Sequence, residues 1–151
     1  MDSTIQSISG NAQAYDSKNL LYYDSVTTLK GVYYYCFDML QKKLVHMSPV
    51  PFSLDNAEFD ASENRLIGLV DDVFAYLDLE SGKFVRIPSL NFSRIGFRQL
   101  GASAISSDSR YYFVFYENHQ AESFFVRVDL KTLSYRVNQV YDLIGTMIYI
   151  P

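Results

Sequence analysis

Apolar and polar positions repeat along this chain as three copies of one phrase. Each copy places an Asp between apolar residues, continues with a short polar turn, and returns to an apolar residue six positions after the Asp. The repeated aspartates are Asp38, Asp78 and Asp129, and each is followed directly by Met or Leu. Apolar runs of strand length on both sides of a polar turn are typical of β-hairpins. The pattern therefore predicts three hairpins in which these aspartates form the turns.

A second polar turn precedes each phrase and leads into another apolar run. Residues 59–70 align with residues 104–115, and residues 16–23 are a weaker copy of the same element. Ser, Asp and Asn favour such turns because their short side chains bond to nearby backbone amides. Each unit is therefore predicted to contain a turn, a strand, a loop, a strand, the Asp turn and a last strand.

The predicted units are not evenly spaced. From Asp38 to Asp78 the chain advances 40 residues, and from Asp78 to Asp129 it advances 51. We attribute the longer step to a linker at 88–99 and a polar loop at 117–122. The predicted organisation is then a polar N-terminal segment and three units, with the boundaries 1–15, 16–50, 59–87 and 104–137.

These units resemble the blades of β-propellers of the WD40-like or quinoprotein-like kind. The resemblance is carried best by Ser107-Asp108-Ser109-Arg110 and Val128-Asp129-Leu130, and nearly as well by Leu77-Asp78-Leu79. A repeat of about 40 to 50 residues is in the range of propeller blades. Two features depart from the pattern. No unit contains the Gly-His or Trp-Asp pair of WD40 repeats, and three blades are too few to close a ring.

The resemblance and the composition predict an all-β fold in a single domain over residues 1–151. Thirteen Tyr and eleven Phe, with no Trp, favour pleated surfaces. We expect about three antiparallel blade-like units, arranged as a partial propeller, a curved sheet or a sandwich. Because an open stack leaves edges and apolar faces uncovered, its open end is expected to pack against a second copy of the chain or another partner. The aromatic runs place side chains on both faces of their strands, so the second face is either covered by another sheet or available to a partner.

Acidic residues are concentrated in one part of the chain. The formal net charge is −4, but residues 51–80 contain eight acids and a single cation, Arg65, and so carry −7. This segment disfavours nucleic acid as a partner, because phosphates are repelled, and favours a basic protein. The simpler interpretation is that these acids lie on turns and maintain solubility.

Catalytic and metal-binding patterns are scarce. The two histidines, His46 and His119, lie in a predicted strand and in the polar loop without a recognised ligand spacing. Cys36 lies among tyrosines, where a buried thiol is expected. Carboxylates for a glycan hydrolase are supplied by Asp60, Asp71, Asp72 and Asp78. Acids on hairpin turns are solvated, however, which opposes the raised pKa that this reaction needs. We therefore predict no enzyme, no cofactor and no metal.

The sequence favours a non-enzymatic protein-binding domain. Its most concrete form is a small acidic inhibitor or immunity protein that neutralises a basic toxin or nuclease domain. A propeller-like structural or scaffold subunit is the alternative, and a glycan-acting hydrolase is third. We expect a cytoplasmic location, because no signal peptide or spanning segment is evident and Cys36 is the only Cys. No nucleic acid or membrane is expected as a partner, and the chain's own second copy is an alternative one. The candidate partner-binding residues are Glu58, Asp60, Glu63, Asp71, Asp72, Glu117 and Glu122.

Overall fold

The computed structural model describes residues 5–8, 12–93 and 97–140, with side chains described within 12–93 and 101–140. Thirteen strands in these ranges form three antiparallel sheets. The predicted all-β fold of blade-like antiparallel units is confirmed, and the sheets are not closed. The prediction of one domain over residues 1–151 stays a prediction.

The first sheet has the strand order β1-β3-β4-β5, and β2 also pairs with β3. Its five strands are β1 (Ile5–Ile8), β2 (Ala14–Asp16), β3 (Leu21–Thr28), β4 (Gly31–Asp38) and β5 (Lys43–Val50). Strand β5 is therefore an edge strand. It carries Pro49, which lacks a backbone N–H and is tolerated at sheet edges.

The other two sheets are each built from four consecutive strands. The second sheet contains β6 (Asp55–Asp60), β7 (Arg65–Val70), β8 (Val73–Asp78) and β9 (Phe84–Asn91). The third contains β10 (Phe97–Ile105), β11 (Tyr111–Asn118), β12 (Ser123–Asp129) and β13 (Ser134–Val140).

Each unit contains one strand more than the sequence predicts. We predicted three strands per unit, but β2, β6 and β10 precede the first turn and complete four strands. The linker expected at 88–99 is wrong in part, because β9 continues to Asn91 and β10 begins at Phe97. The polar loop expected at 117–122 is shorter, because β11 continues to Asn118. The apolar run at residues 146–150 predicts a terminal strand, and this segment lies outside the described residues.

The turn that opens each unit begins with a buried polar residue, five positions before the next strand. These residues are Asp16, Asp60 and Ser106. Each side-chain oxygen accepts hydrogen bonds from backbone amides of its own turn, as Asp60 does from Ser62 at 3.1 Å. The turn residues therefore satisfy donors that would otherwise be left without partners.

The Asp turn that closes each unit is equally regular. Asp38, Asp78 and Asp129 each accept an amide hydrogen bond from two or three residues ahead, which confirms their predicted role as turn formers. The backbone amide of the residue after each Asp donates a hydrogen bond to the carbonyl of the residue just before β3, β7 or β11. The pairs are Met39 to Leu20 (3.0 Å), Leu79 to Asn64 (3.3 Å) and Leu130 to Arg110 (2.9 Å). The repeat is thus preserved at the level of single hydrogen bonds.

The chain divides into two compact units, Met1–Val70 with Ala75–Arg86, and Asp71–Phe74 with Ile87–Pro151. In the first unit, apolar side chains from the first and second sheets form one core that includes Tyr23, Tyr34, Leu54, Phe59, Leu66 and Leu77. In the second unit, β11 alternates strictly between buried and half-exposed residues. Its buried residues Tyr112, Val114 and Tyr116 lie on the core face, and Tyr112 packs against Phe74 with ring centroids 5.6 Å apart.

Candidate functional site

Three of the acidic candidates lie on β6 and the turn that follows it. Glu58 is half-buried on β6, and Glu63 is exposed in the turn. Asp60 is fully buried and its Oδ2 accepts a hydrogen bond from Arg65 Nε at 2.8 Å, within an ion pair. The proposal of Asp60 as a partner-binding residue is therefore corrected, because its carboxylate faces the turn and Arg65 rather than solvent.

Asp71 and Asp72 form the two-residue turn between β7 and β8. Both have positive φ, 48° and 61°. Two consecutive residues with positive φ define a type I′ turn, which matches the twist of a hairpin and favours Asn, Asp and Gly. These two acids therefore have a structural reason to be present, in addition to any effect of their charge.

Glu117 and Glu122 lie at the turn between β11 and β12. Glu117 is half-buried near the end of β11, and Glu122 is exposed in the turn. Glu122 accepts hydrogen bonds from Asn118 Nδ2 at 2.7 Å and from Gln139 Nε2 at 3.4 Å. The carboxylate of Glu122 thus helps to hold its own hairpin. The seven candidates occupy three hairpin ends.

One face of the first sheet presents aromatic side chains that its core does not cover. In register, Tyr15 lies opposite Tyr22, Tyr22 opposite Phe37, and Phe37 opposite Leu44. This row crosses β2, β3, β4 and β5 on the side away from the core residues Tyr23, Tyr34 and Cys36. We call this surface the tyrosine face and define it by Tyr15, Tyr22, Tyr33, Tyr35, Phe37, Leu44 and Met47.

The tyrosine face is substantially exposed. Tyr15 is 49% exposed, Leu44 55% and Met47 43%, and the remaining four side chains are half-buried. The two outcomes expected for the second face of the aromatic strands were coverage by another sheet or availability to a partner. Within the described residues, the exposure of these three side chains agrees with the second outcome.

A buried carboxylate orders the middle of this face. Asp24 is almost fully buried, and its Oδ2 accepts hydrogen bonds from the hydroxyls of Tyr22 at 3.1 Å and Tyr35 at 3.2 Å. Its Oδ1 accepts the Ser25 amide at 2.7 Å. Burial and the neighbouring Asp24 raise the pKa of Tyr22 to about 12, and the same causes raise the pKa of Tyr35. Both hydroxyls are therefore neutral donors at pH 7 and hold their rings in place.

A cleft of about 160 Å³ lies on the other side of β5 within the first unit. Its two walls are the edge of the first sheet and the hairpin between β8 and β9. The lining residues are Tyr23, Tyr34, Tyr35, Cys36, His46, Ser48, Pro49 and Val50 from the first sheet, and Leu77, Asp78, Leu79 and Gly82 from the hairpin. Pockets for drug-sized ligands occupy about 300 to 1,000 Å³, so this cleft fits a single side chain or a small fragment.

A β-bulge in β5 places His46 in this cleft. Leu44 lies opposite Phe37 but His46 lies opposite Cys36, so Val45 is the extra residue. In a regular strand His46 would lie on the same face as Leu44, but the bulge moves it to the core face, opposite Cys36. His46 Nε2 and Ser48 Oγ form a hydrogen bond. Burial raises the pKa of the Cys36 thiol, which opposes formation of a nucleophilic thiolate beside the histidine.

Asp78 gives the cleft an anionic group. Its Oδ1 accepts hydrogen bonds from the Ser81 amide and the Ser81 hydroxyl, both at 2.7 Å. These two hydrogen bonds, the hydroxyl first, hold the pKa of Asp78 below its usual value. The repeated turn therefore keeps a charged carboxylate in the lining of a cleft whose other members are mostly aromatic and aliphatic.

The described residues form neither a metal-ligand cluster nor a membrane-spanning helix. Across residues 12–93 and 101–140, no three His, Cys, Asp or Glu side chains are grouped so that they could hold a metal ion. No helix in the described part of the chain has the length and apolar character needed to cross a membrane.

Comparisons with known proteins identify a fold but no family. No protein-family model and no curated protein sequence matches this chain. Among solved structures, its antiparallel sheets are similar to part of a propeller-containing protein. That protein is Kuenenia stuttgartiensis hydrazine synthase, with a TM-score of 0.53 and 12% sequence identity. The similarity covers 84% of this chain and 36% of that chain, and at this identity it concerns the fold alone.

Proposed function

We propose that this chain is a non-enzymatic protein-binding domain that captures a basic partner through the tyrosine face. The single observation that supports the proposal is a partly exposed row of three aromatic side chains and a leucine across four strands, whose members are aligned by register. Tyr is enriched in protein interfaces because it buries a large rigid area at a small cost in conformational entropy. The hydrogen bonds from Tyr22 and Tyr35 to Asp24 reduce that cost further.

The proposed chemistry of the partner follows from charge. The chain carries −4 overall, and its acids lie at hairpin ends that include the exposed Glu63, Asp71 and Glu122. A negative field accelerates encounter with a basic protein and disfavours acidic competitors. The most concrete form of this proposal is an inhibitor or immunity protein that neutralises a basic toxin or nuclease domain, working in the cytoplasm and without a cofactor.

A propeller-like structural or scaffold subunit is the second candidate. It is favoured by the similarity to part of a longer propeller-containing protein. Under this proposal the units are WD40-like or quinoprotein-like blades, and a second copy or a further subunit supplies the missing neighbours. The two candidates differ in what they bind: a basic protein of another kind, or the chain itself.

A capture experiment separates them. Tagged protein is compared with a variant carrying Tyr15→Ser and Met47→Ser, and captured proteins are identified and quantified by mass spectrometry. A matched control carries Leu29→Ser and Leu40→Ser, which remove apolar side chains that are even more exposed and lie in turns. We expect a partner of basic pI to be retained by the control and lost by the face variant. Capture of the chain's own second copy alone would support the scaffold, and equal capture by all three proteins would overturn the tyrosine face as the binding surface.

A further inference from the structure

We propose that the cleft between β5 and the β8–β9 hairpin is an anchor site for one arginine side chain of a protein partner. The inference rests on the proposed function for the chemistry of the partner, and it assigns a second contact to the same unit. Strand β5 connects the two contacts, since Leu44 and Met47 belong to the tyrosine face while His46 and Ser48 line the cleft. A partner that covers the edge of this sheet therefore meets both.

The size of the cleft selects a single side chain. Its volume is about 160 Å³, close to that of an engineered cavity of about 150 Å³ that binds one benzene molecule. A sugar ring with its neighbours or a nucleotide needs several times this space. A planar guanidinium on its aliphatic stem fits it.

The lining of the cleft selects a cation with an apolar stem. Val50, Leu77 and Leu79 supply aliphatic surface, and Tyr23 and Tyr34 supply aromatic surface. Guanidinium groups stack on aromatic rings, and their stems pack along apolar surface while the charged head stays near water. The same walls offer no comparable advantage to an acidic side chain.

Asp78 supplies the charge that complements this cation. Both of its hydrogen bonds within the turn go to Oδ1, so a guanidinium can approach Oδ2 without breaking the turn. Lys83, five residues after Asp78, lies outside the lining of the cleft. The cation that acts on Asp78, Arg65, forms its ion pair with Asp60 instead. The equivalent turn residue of the first sheet, Asp38, also lies outside the lining of the cleft, which provides a matched control in the same structural position.

The test uses N-acetyl-arginine amide as the probe and N-acetyl-citrulline amide as its neutral isostere. Binding to the full chain is followed by the ¹⁵N–¹H shifts of His46, Leu79 and Gly82. We expect the arginine probe to bind about fivefold more tightly than the citrulline probe, as a partly exposed ion pair allows. Asp78→Asn retains an oxygen for Ser81, so the turn is kept while the preference for arginine is lost. Asp38→Asn leaves the preference unchanged.

Several outcomes would overturn the inference. These are equal binding of the two probes, shifts that map away from the cleft, or loss of the preference in Asp38→Asn as well as in Asp78→Asn. The result is independent of the tyrosine face. If a basic partner is still lost on Tyr15→Ser with Met47→Ser while the arginine probe leaves the cleft amides unmoved, the anchor site is wrong and the proposed function stands.

Discussion

At the scale of single residues, one backbone position recurs four residues after each repeated aspartate. Lys42, Gly82 and Leu133 occupy it, and all three have positive φ, at 53°, 68° and 50°. Only glycine adopts this left-handed conformation without the cost of a crowded Cβ. The turn therefore imposes its geometry even on a lysine and a leucine, because the aspartate and the backbone hydrogen bonds determine the path of the chain.

Alanine substitutions at this position are predicted to separate backbone strain from packing. An added Cβ at Gly82 meets no atom within 4 Å, so Gly82→Ala should lower the free energy of unfolding by about 1 kcal/mol through φ alone. Leu133→Ala should change it far less, because a Cβ is already present there and the side chain is partly exposed. Urea unfolding of both variants measures the two values. Equal losses would show that the position carries no backbone strain.

Tyr22 is predicted to make stability fall at high pH. Its pKa is raised to about 12 from 10.0 by burial and by Asp24, so the folded state holds the phenolic proton more tightly than the unfolded state. The contribution of Tyr22 is therefore constant below pH 10 and is lost as the pH rises from about 10 to about 12. The measurement is the difference in unfolding free energy between the protein and Tyr22→Phe across that range. Asp24→Asn should narrow the pH range over which this stability is lost, because it removes the charge of Asp24 and leaves burial as the cause of the raised Tyr22 pKa. A difference in unfolding free energy that does not change between pH 10 and pH 12 would contradict this prediction.

At the scale of elements, the same turn uses arginine in two ways. Arg65 pairs with the fully buried Asp60 across one turn, whereas Arg110 pairs with Asp129 across two turns near the surface, at 3.0 Å. The side chains of the first pair are 14% and 0% exposed, and those of the second 43% and 17%. Removing one partner of a buried pair leaves an uncompensated charge, whereas surface pairs contribute little.

Neutralising each aspartate is therefore predicted to have unequal effects. Asp60→Asn should destabilise the fold by about 3 kcal/mol, and Asp129→Asn should have a much smaller effect, because its pair is exposed to solvent. Both asparagines retain an oxygen for the amides of their turns, so the comparison isolates the charge. Thermal or urea unfolding of the two variants gives the values. Similar losses in both would mean that burial of Asp60 does not determine the strength of its pair.

The elements also show how far this sequence predicts its fold. Hairpins at Asp38, Asp78 and Asp129 follow from local turn chemistry and apolar period, and the structure has all three. The sequence did not predict strands β2, β6 and β10, because they are short, irregular or interrupted by bulges, as between Asp55 and Glu58. The cleft was not predicted for a related reason, because the extra residue Val45 shifts the register of β5 by one position. Nothing local in Lys43-Leu44-Val45-His46 marks a bulge, since it is set by how β5 meets β4.

At the scale of the whole molecule, charge and apolar surface are expected to divide the work of binding. Acids at exposed hairpin ends act over about 8 to 10 Å in physiological salt, so they affect the rate of encounter. The aromatic side chains of the tyrosine face act on contact, so they affect dissociation. Of the seven acids predicted from the sequence, Asp60 is excluded by burial and the others remain proposals.

Neutralising Asp71 and Asp72 is predicted to slow association with the partner without changing the conformation of the turn. Asn tolerates positive φ as Asp does, so Asp71→Asn with Asp72→Asn removes charge from the β7–β8 turn and keeps its conformation. We expect a severalfold slower association with the captured basic partner at low salt, and no difference near 1 M salt, where the screening length is about 3 Å. Lys42→Gln with Lys43→Gln should have the opposite sign. Association rates are measured by stopped-flow fluorescence. An effect of the substitutions that does not depend on salt would exclude electrostatic steering by these two aspartates.

The most direct test of the central claim is a side-chain footprint of the bound partner. Hydroxyl-radical labelling of the chain, free and in complex, reports the accessibility of exposed apolar and aromatic side chains one by one. We expect strong protection of Tyr15, Leu44 and Met47 in the complex, with Leu29 and Leu133 labelled equally in both states. Protection confined to Leu29 or Leu133, with the tyrosine face fully labelled in the complex, would contradict it.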